Sequence, residues 1–106
     1  MSIDYLNPGP SREEIDASVG AVALEFGTGW CGYCRGAESA IRTAIAEFGH
    51  VQHIKVEDGP GRRLGRSFRV KLWPTVIFLK DGVELARVVR PETVEEVRQG
   101  LQKICE

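Results

Sequence analysis

Hydrophobic and polar positions along the chain alternate between two regimes, short apolar runs and helical repeats. Ala21 to Phe26 is apolar at every position except Glu25, a run that suits a strand buried on both faces and therefore a central, parallel one. Ala37, Ile41, Ala44, Ile45 and Phe48 then recur at i, i+4, i+7, i+8 and i+11, one face of a helix that Gly49 stops. Glu38 and Arg42 sit at i, i+4 on its outer side. Val51 to Val56 and Thr75 to Leu79 read as further strands, the second preceded by Pro74. Asp81-Gly82 is a two-residue hairpin signal, so Val83 to Val89 returns antiparallel. Val94, Val97, Leu101 and Ile104 mark the buried stripe of a final helix.

Polar punctuation fills in the rest. Ile3 to Leu6 suits a short edge strand, and Asn7-Pro8-Gly9-Pro10 a turn. Ser11 with Glu14 forms a capping box that opens a helix running to about Val19, and Thr93 with Glu96 forms a second one before the last helix. Gly27-Thr28-Gly29 breaks the first buried strand. Glu57 to Gly61 is a turn, and Arg62 to Phe68 a short basic helix. The order (β)αβαβα followed by ββα predicts a mixed central sheet with helices on both faces, a three-layer α/β/α sandwich. There are no internal repeats.

Composition narrows the class of protein. The 106 residues suffice for a single domain over 1–106 and not for two ordinary ones. The 42% apolar and 27% charged content excludes disorder, collagen and coiled coil. With 14 basic and 15 acidic residues the formal net charge is −1, no footprint for nucleic acid or an anionic membrane surface. No apolar run approaches the roughly 18 residues of a membrane span. Met1 to Pro10 lacks the basic start and apolar stretch of a signal peptide, so a cytoplasmic location is expected. Three cysteines, two of them close together, favour reactive thiols or a metal over a structural disulfide in that compartment.

The chemistry concentrates in Trp30-Cys31-Gly32-Tyr33-Cys34, between a buried strand and a helix. A cysteine at a helix start meets free backbone N–H groups and the positive end of the helix dipole. Both favour the thiolate, and cysteines so placed have pKa values of roughly 3.5–7.5. Cys31 is thus the candidate nucleophile. Cys34, one turn later on the same side, is the candidate resolving thiol for a mixed disulfide. Glu25, a carboxyl on an apolar strand, is expected to be held protonated more readily by desolvation and so to accept the Cys34 proton. A zinc site from Cys31, Cys34, His50 and His53 departs from zinc-finger spacing, so no metal is expected.

From about Ile3 to Ile104 the chain resembles the thioredoxin family. The resemblance rests on the apolar strand ending in Glu25-Phe26, the Trp30–Cys34 segment, Trp73-Pro74-Thr75 before a strand, the Asp81-Gly82 hairpin and the terminal amphipathic helix. It implies a thioredoxin-like fold, a cis Pro74 beside the cysteines, and a backbone at Trp73 that pairs with substrate. It implies a dithiol–disulfide oxidoreductase that reduces protein disulfides, contributes to cell redox homeostasis and needs no bound cofactor. Its partners would be disulfide-containing proteins and a flavin-dependent reductase as electron donor, and a monomer is expected. Substrate contacts are expected from Trp30, Gly32, Tyr33, Trp73, Pro74 and Arg90.

The departures from the family are specific. Glu25 replaces an aspartate, Tyr33 the proline before the second cysteine, Ser39 the proline that kinks the helix, and Arg90 a small glycine at the groove. Arg90 and the large Trp73 imply a narrower or more cationic groove. The lysine that often neighbours the buried carboxylate has two counterparts, His53 and Lys55, of equal strand parity. Cys-Gly-Tyr-Cys also occurs in some bacterial disulfide isomerases, so an isomerase or a glutathione-linked oxidoreductase is the alternative enzyme. A non-catalytic module gripping a partner at Trp73 and Pro74 is the alternative outside enzymes. Cys105 reads as an incidental thiol, and Arg62, Arg63, Arg66, Arg69 and Lys71 as a solvated basic face.

Overall fold

The computed structural model describes residues 4–105. The elements are α1 (Arg12–Asp16), β1 (Ala21–Gly27), α2 (Gly32–Ala46), β2 (Gln52–Glu57), α3 (Arg63–Ser67), β3 (Thr75–Lys80), β4 (Val83–Val89) and α4 (Val94–Ile104). The four strands form one mixed sheet in the order β2-β1-β3-β4. β1 is central, as its buried, nearly all-apolar run requires. It runs parallel to β2 but antiparallel to β3, so only one of its two neighbours has the expected direction. Apolar continuity reports burial on both faces; it does not report strand direction.

Each face of the sheet carries its own core. Odd positions of β1 and even positions of β3, Ala23, Val76 and Phe78, pack under α2 and α4 with Ala37, Ile41, Ala44, Val97, Leu101 and Ile104. The alternate positions Val22, Leu24, Phe26, Ile77 and Leu79 pack under Ile15 of α1, Leu64 of α3 and Phe68. Full burial of such side chains contributes roughly 1.5–3 kcal/mol each, so both layers anchor β1 firmly. This is the expected three-layer sandwich.

Local chemistry sets the boundaries. Both halves of the Ser11–Glu14 capping box form. The helix nonetheless ends at Asp16 rather than near Val19, where the Ser18 hydroxyl donates to the Ile15 carbonyl at 2.7 Å and Gly20 turns the chain at φ 84°. The second box is half made. The Thr93 hydroxyl accepts from the Glu96 N–H at 3.2 Å, but the Glu96 carboxylate accepts from Glu92 instead of Thr93. In the hairpin, Asp81 and Gly82 adopt φ of 50° and 81°, the paired left-handed conformation such tight turns need. Of the expected strand at Ile3 to Leu6, Ile3 lies outside the described residues. Leu6 forms a single parallel bridge to Val56 on the outer edge of β2.

Candidate active site

β1 and α2 together place the two cysteines. β1 carries the chain through the core and ends at Gly27, and α2 starts five residues later above that end. Cys31 is the N-cap of α2, with an extended backbone, and its Sγ accepts the Cys34 N–H at 3.2 Å. This is a capping bond in which sulfur replaces the usual oxygen acceptor. Cys31 is 7% exposed and Cys34 only 2%. Burial first, and then the hydrogen bond with Cys31, push the Cys34 thiol up to about 11, while the Thr28 backbone pulls the other way. Cys34 therefore stays protonated at neutral pH, and the two thiols are not equivalent.

Beneath them lies Glu25, only 1% exposed. A buried carboxyl without partners costs several kcal/mol, so the arrangement around it is informative. Its Oε1 lies 2.8 Å from His53 Nε2, and its Oε2 accepts the Tyr5 hydroxyl at 3.1 Å. Between the two counterparts that parity left open, His53 makes the direct contact. Lys55 is also buried, but its Nζ sits 4.3 Å over the Tyr5 ring. Tyr5 was missed in the sequence. Its hydroxyl bonds the carboxyl and lies on the same side of Gly27 as the resolving thiol. Gly27 makes room for this: a Cβ there would lie 2.6 Å from Cys34 Sγ and 2.8 Å from the Tyr5 hydroxyl.

Around the cysteines the remaining expected residues form a connected rim. The Trp73-Pro74 bond is cis and Pro74 is buried. Trp30 and Tyr33 are 71% and 62% exposed, and Gly32, at the start of α2, is exposed as well. Trp30 meets Trp73 edge-on at 5.8 Å between ring centroids. The Trp73 indole N–H donates to Asp58 Oδ2 at 2.9 Å, a second contact that sequence reasoning missed. Arg90 ties the rim together: its guanidinium lies 3.7 Å over the Tyr33 ring, and its Nε donates to the Trp73 carbonyl at 2.8 Å. Its backbone has φ 50° and its N–H donates to the Pro74 carbonyl at 2.8 Å. A left-handed backbone favours glycine, which is why a side chain at this position stands out.

A thioredoxin family profile matches residues 5–103. The chain belongs to the thioredoxin family. It is 35% identical over 81 residues to the thioredoxin of Chlamydia pneumoniae, covering 74% of this chain and 79% of that protein. It is 30% identical over 91 residues to thioredoxin H2 of Arabidopsis thaliana, covering 86% of this chain and 68% of that one. Among solved structures, the reduced form of thioredoxin 2 from Pseudomonas aeruginosa superposes with a TM-score of 0.88 at 47% identity, over 99% of this chain and 97% of that one.

Like other thioredoxins, this protein is a dithiol–disulfide oxidoreductase, a protein-disulfide reductase built on a Cys-Gly-Tyr-Cys pair. Two sulfurs carry both electrons, and the family's substrates are disulfides. Among the described residues no group of three or more His, Cys, Asp and Glu side chains is gathered that could hold a metal ion. The His53 ring meets Glu25. No helix among the described residues is long and apolar enough to cross a membrane.

Proposed function

We propose that Cys31 is the attacking thiol and Cys34 the resolving thiol in the reduction of protein disulfides, with Glu25 as the proton acceptor for the second step. The Cys31 sulfur attacks one sulfur of the substrate disulfide, and the other leaves as a thiolate. Cys34 then attacks Cys31 in the mixed disulfide. The Cys31–Cys34 bond forms, the bond to substrate breaks, and the substrate departs as a dithiol. The enzyme's two sulfurs are oxidised by the two electrons the substrate gains.

The observation that carries this reading is the asymmetry of the pair. One sulfur caps α2 and accepts an amide hydrogen, while the other is buried with its proton held on up to about pH 11. Substrate binding is assigned to Trp30, Gly32, Tyr33, Trp73, Pro74 and Arg90. The backbone at Trp73 offers an extended segment a place to pair, but its carbonyl is already bonded to Arg90. An incoming strand therefore exchanges places with the guanidinium, which favours segments carrying a carboxylate to receive it. The protein would work as a cytoplasmic monomer in cell redox homeostasis, recharged by a flavin-dependent reductase of the thioredoxin type.

Insulin reduction by dithiothreitol tests the reading. The protein should accelerate it, and Cys31→Ser should return the rate to that of dithiothreitol alone. Equal rates with wild type, variant and no protein would refute it.

A further inference from the structure

Attack by Cys34 on the mixed disulfide requires a thiol buried at 2% exposure to lose its proton. The nearest group able to take that proton is one that shares the space beside Gly27 with Cys34 Sγ. A tyrosine hydroxyl has one hydrogen to give and lone pairs to receive another, so a single such group can pass a proton along without keeping it. The Tyr5 hydroxyl is placed for that role. It donates to Glu25 Oε2 at 3.1 Å and borders the same small space beside Gly27 as Cys34 Sγ. Glu25 Oε1 continues the chain to His53 Nε2 at 2.8 Å, and the His53 side chain, like Tyr5, is partly exposed, at 11%.

The placement is held from several sides. Leu6 bridges Val56 and its N–H donates to the Lys55 carbonyl at 2.8 Å, fixing the segment that carries Tyr5 along β2. Lys55 Nζ covers the Tyr5 ring. Gly27 leaves the space in which the hydroxyl and Cys34 Sγ meet.

We propose that Tyr5 is a catalytic residue of the resolving step, relaying the Cys34 proton to Glu25. As Cys34 Sγ bonds to Cys31, its proton passes to the Tyr5 oxygen and the Tyr5 proton passes to Glu25 Oε2. The Cys31–substrate bond breaks and the substrate leaves as a thiolate, which takes a proton from water. Tyr5 ends the step neutral, and Glu25 holds one extra proton until it returns to solvent by way of His53. Burial, the Glu25 carboxyl and Cys34 push the Tyr5 phenol up, so it keeps a proton between turnovers. The proposal rests on the assignment of Cys31 and Cys34 given above.

A symmetric aromatic disulfide that releases one coloured thiolate per step separates the two reactions in a stopped-flow trace, in a Cys105→Ser background. Tyr5→Phe keeps the ring and removes only the hydroxyl. The first phase, attack by Cys31, should be unchanged, and the second should slow by roughly tenfold or more, the scale of a lost proton-transfer group. The Tyr5→Phe, Glu25→Gln double variant should be no slower than the slower single variant. A smaller slowing, or effects that multiply, overturns the relay. In the unaltered protein, the second-phase rate should curve as deuterium replaces hydrogen in the solvent, because two protons move together. A straight line overturns the relay even if the variant fails to fold. Absence of any second phase in wild type would instead refute the assignment of Cys34.

Discussion

Gly27→Ala inserts one methyl group where two reacting parts of the site converge. The added Cβ would stand 2.6 Å from Cys34 Sγ and 2.8 Å from the Tyr5 hydroxyl. Non-bonded carbon contacts settle at roughly 3.5–4.0 Å, so each group has to retreat by about 1 Å. Gly27 is not among the residues with positive φ, so alanine meets no backbone objection and the cost lies in packing alone. The Tyr5–Glu25 hydrogen bond already spans 3.1 Å, and a further ångström breaks it. Over-packing of this kind destabilises by about 1–3 kcal/mol. Misplacement of a reacting group by about 1 Å costs on the order of a hundredfold in rate. The expected result is a folded variant with a modestly lower melting temperature whose Cys31 still attacks at the wild-type rate and whose mixed disulfide persists about a hundred times longer. Stopped-flow release of the second thiolate, with a thermal melt as control, measures both. Wild-type resolution in a protein of unchanged stability would refute the placement of Cys34 and Tyr5 against Gly27.

The other predictions address stability and specificity. Burial and the Cys31 hydrogen bond raise Cys34 from 9.0 to about 11, so the fold favours the neutral thiol. The reduced protein should hold that stability below the unfolded pKa and lose it as pH climbs through about 11. Urea melts of reduced protein and of Cys34→Ala at about pH 8 and about pH 10.5 check this, and the variant should lose less. Gly100 of α4 lies against the Phe78 ring, so Gly100→Ala should cost about 1–3 kcal/mol, read as a fall of several degrees in melting temperature. Arg90→Ala should lower the preference for disulfide peptides with acidic rather than basic flanks by about fivefold, on the order of 1 kcal/mol for a partly exposed charge contact. Comparing kcat/KM for the two peptides reads it.

The parts of this molecule that were legible in the sequence are those set by period and position. The buried run Ala21 to Phe26, the helical stripe of α2, the hairpin at Asp81-Gly82 and the cysteine pair all lie where their patterns put them. Direction and distance were not legible. A strand buried on both faces shows the same apolar run whether its neighbour is parallel or antiparallel, so the antiparallel partner of β1 was hidden. Parity allowed either His53 or Lys55 to face Glu25, and only side-chain reach decided for His53. Tyr5 was hidden for a related reason. Its segment follows no strong pattern, yet the pairing of Leu6 with Val56 puts Tyr5 on the same row as Lys55, beside Glu25. Gly27 read as a strand breaker, whereas it remains within β1 and makes space for sulfur.

Selective alkylation bears most directly on the central claim, that the two active-site sulfurs are unequal because one caps a helix and the other is buried with its proton. Reduced protein is treated at neutral pH with one equivalent of iodoacetamide and mapped by peptide mass spectrometry. A thiol at about 11 is ionised to roughly one part in 10⁴ at pH 7. The label should therefore fall on Cys31 and leave Cys34 free. Labelling of Cys34 before Cys31 would contradict the account.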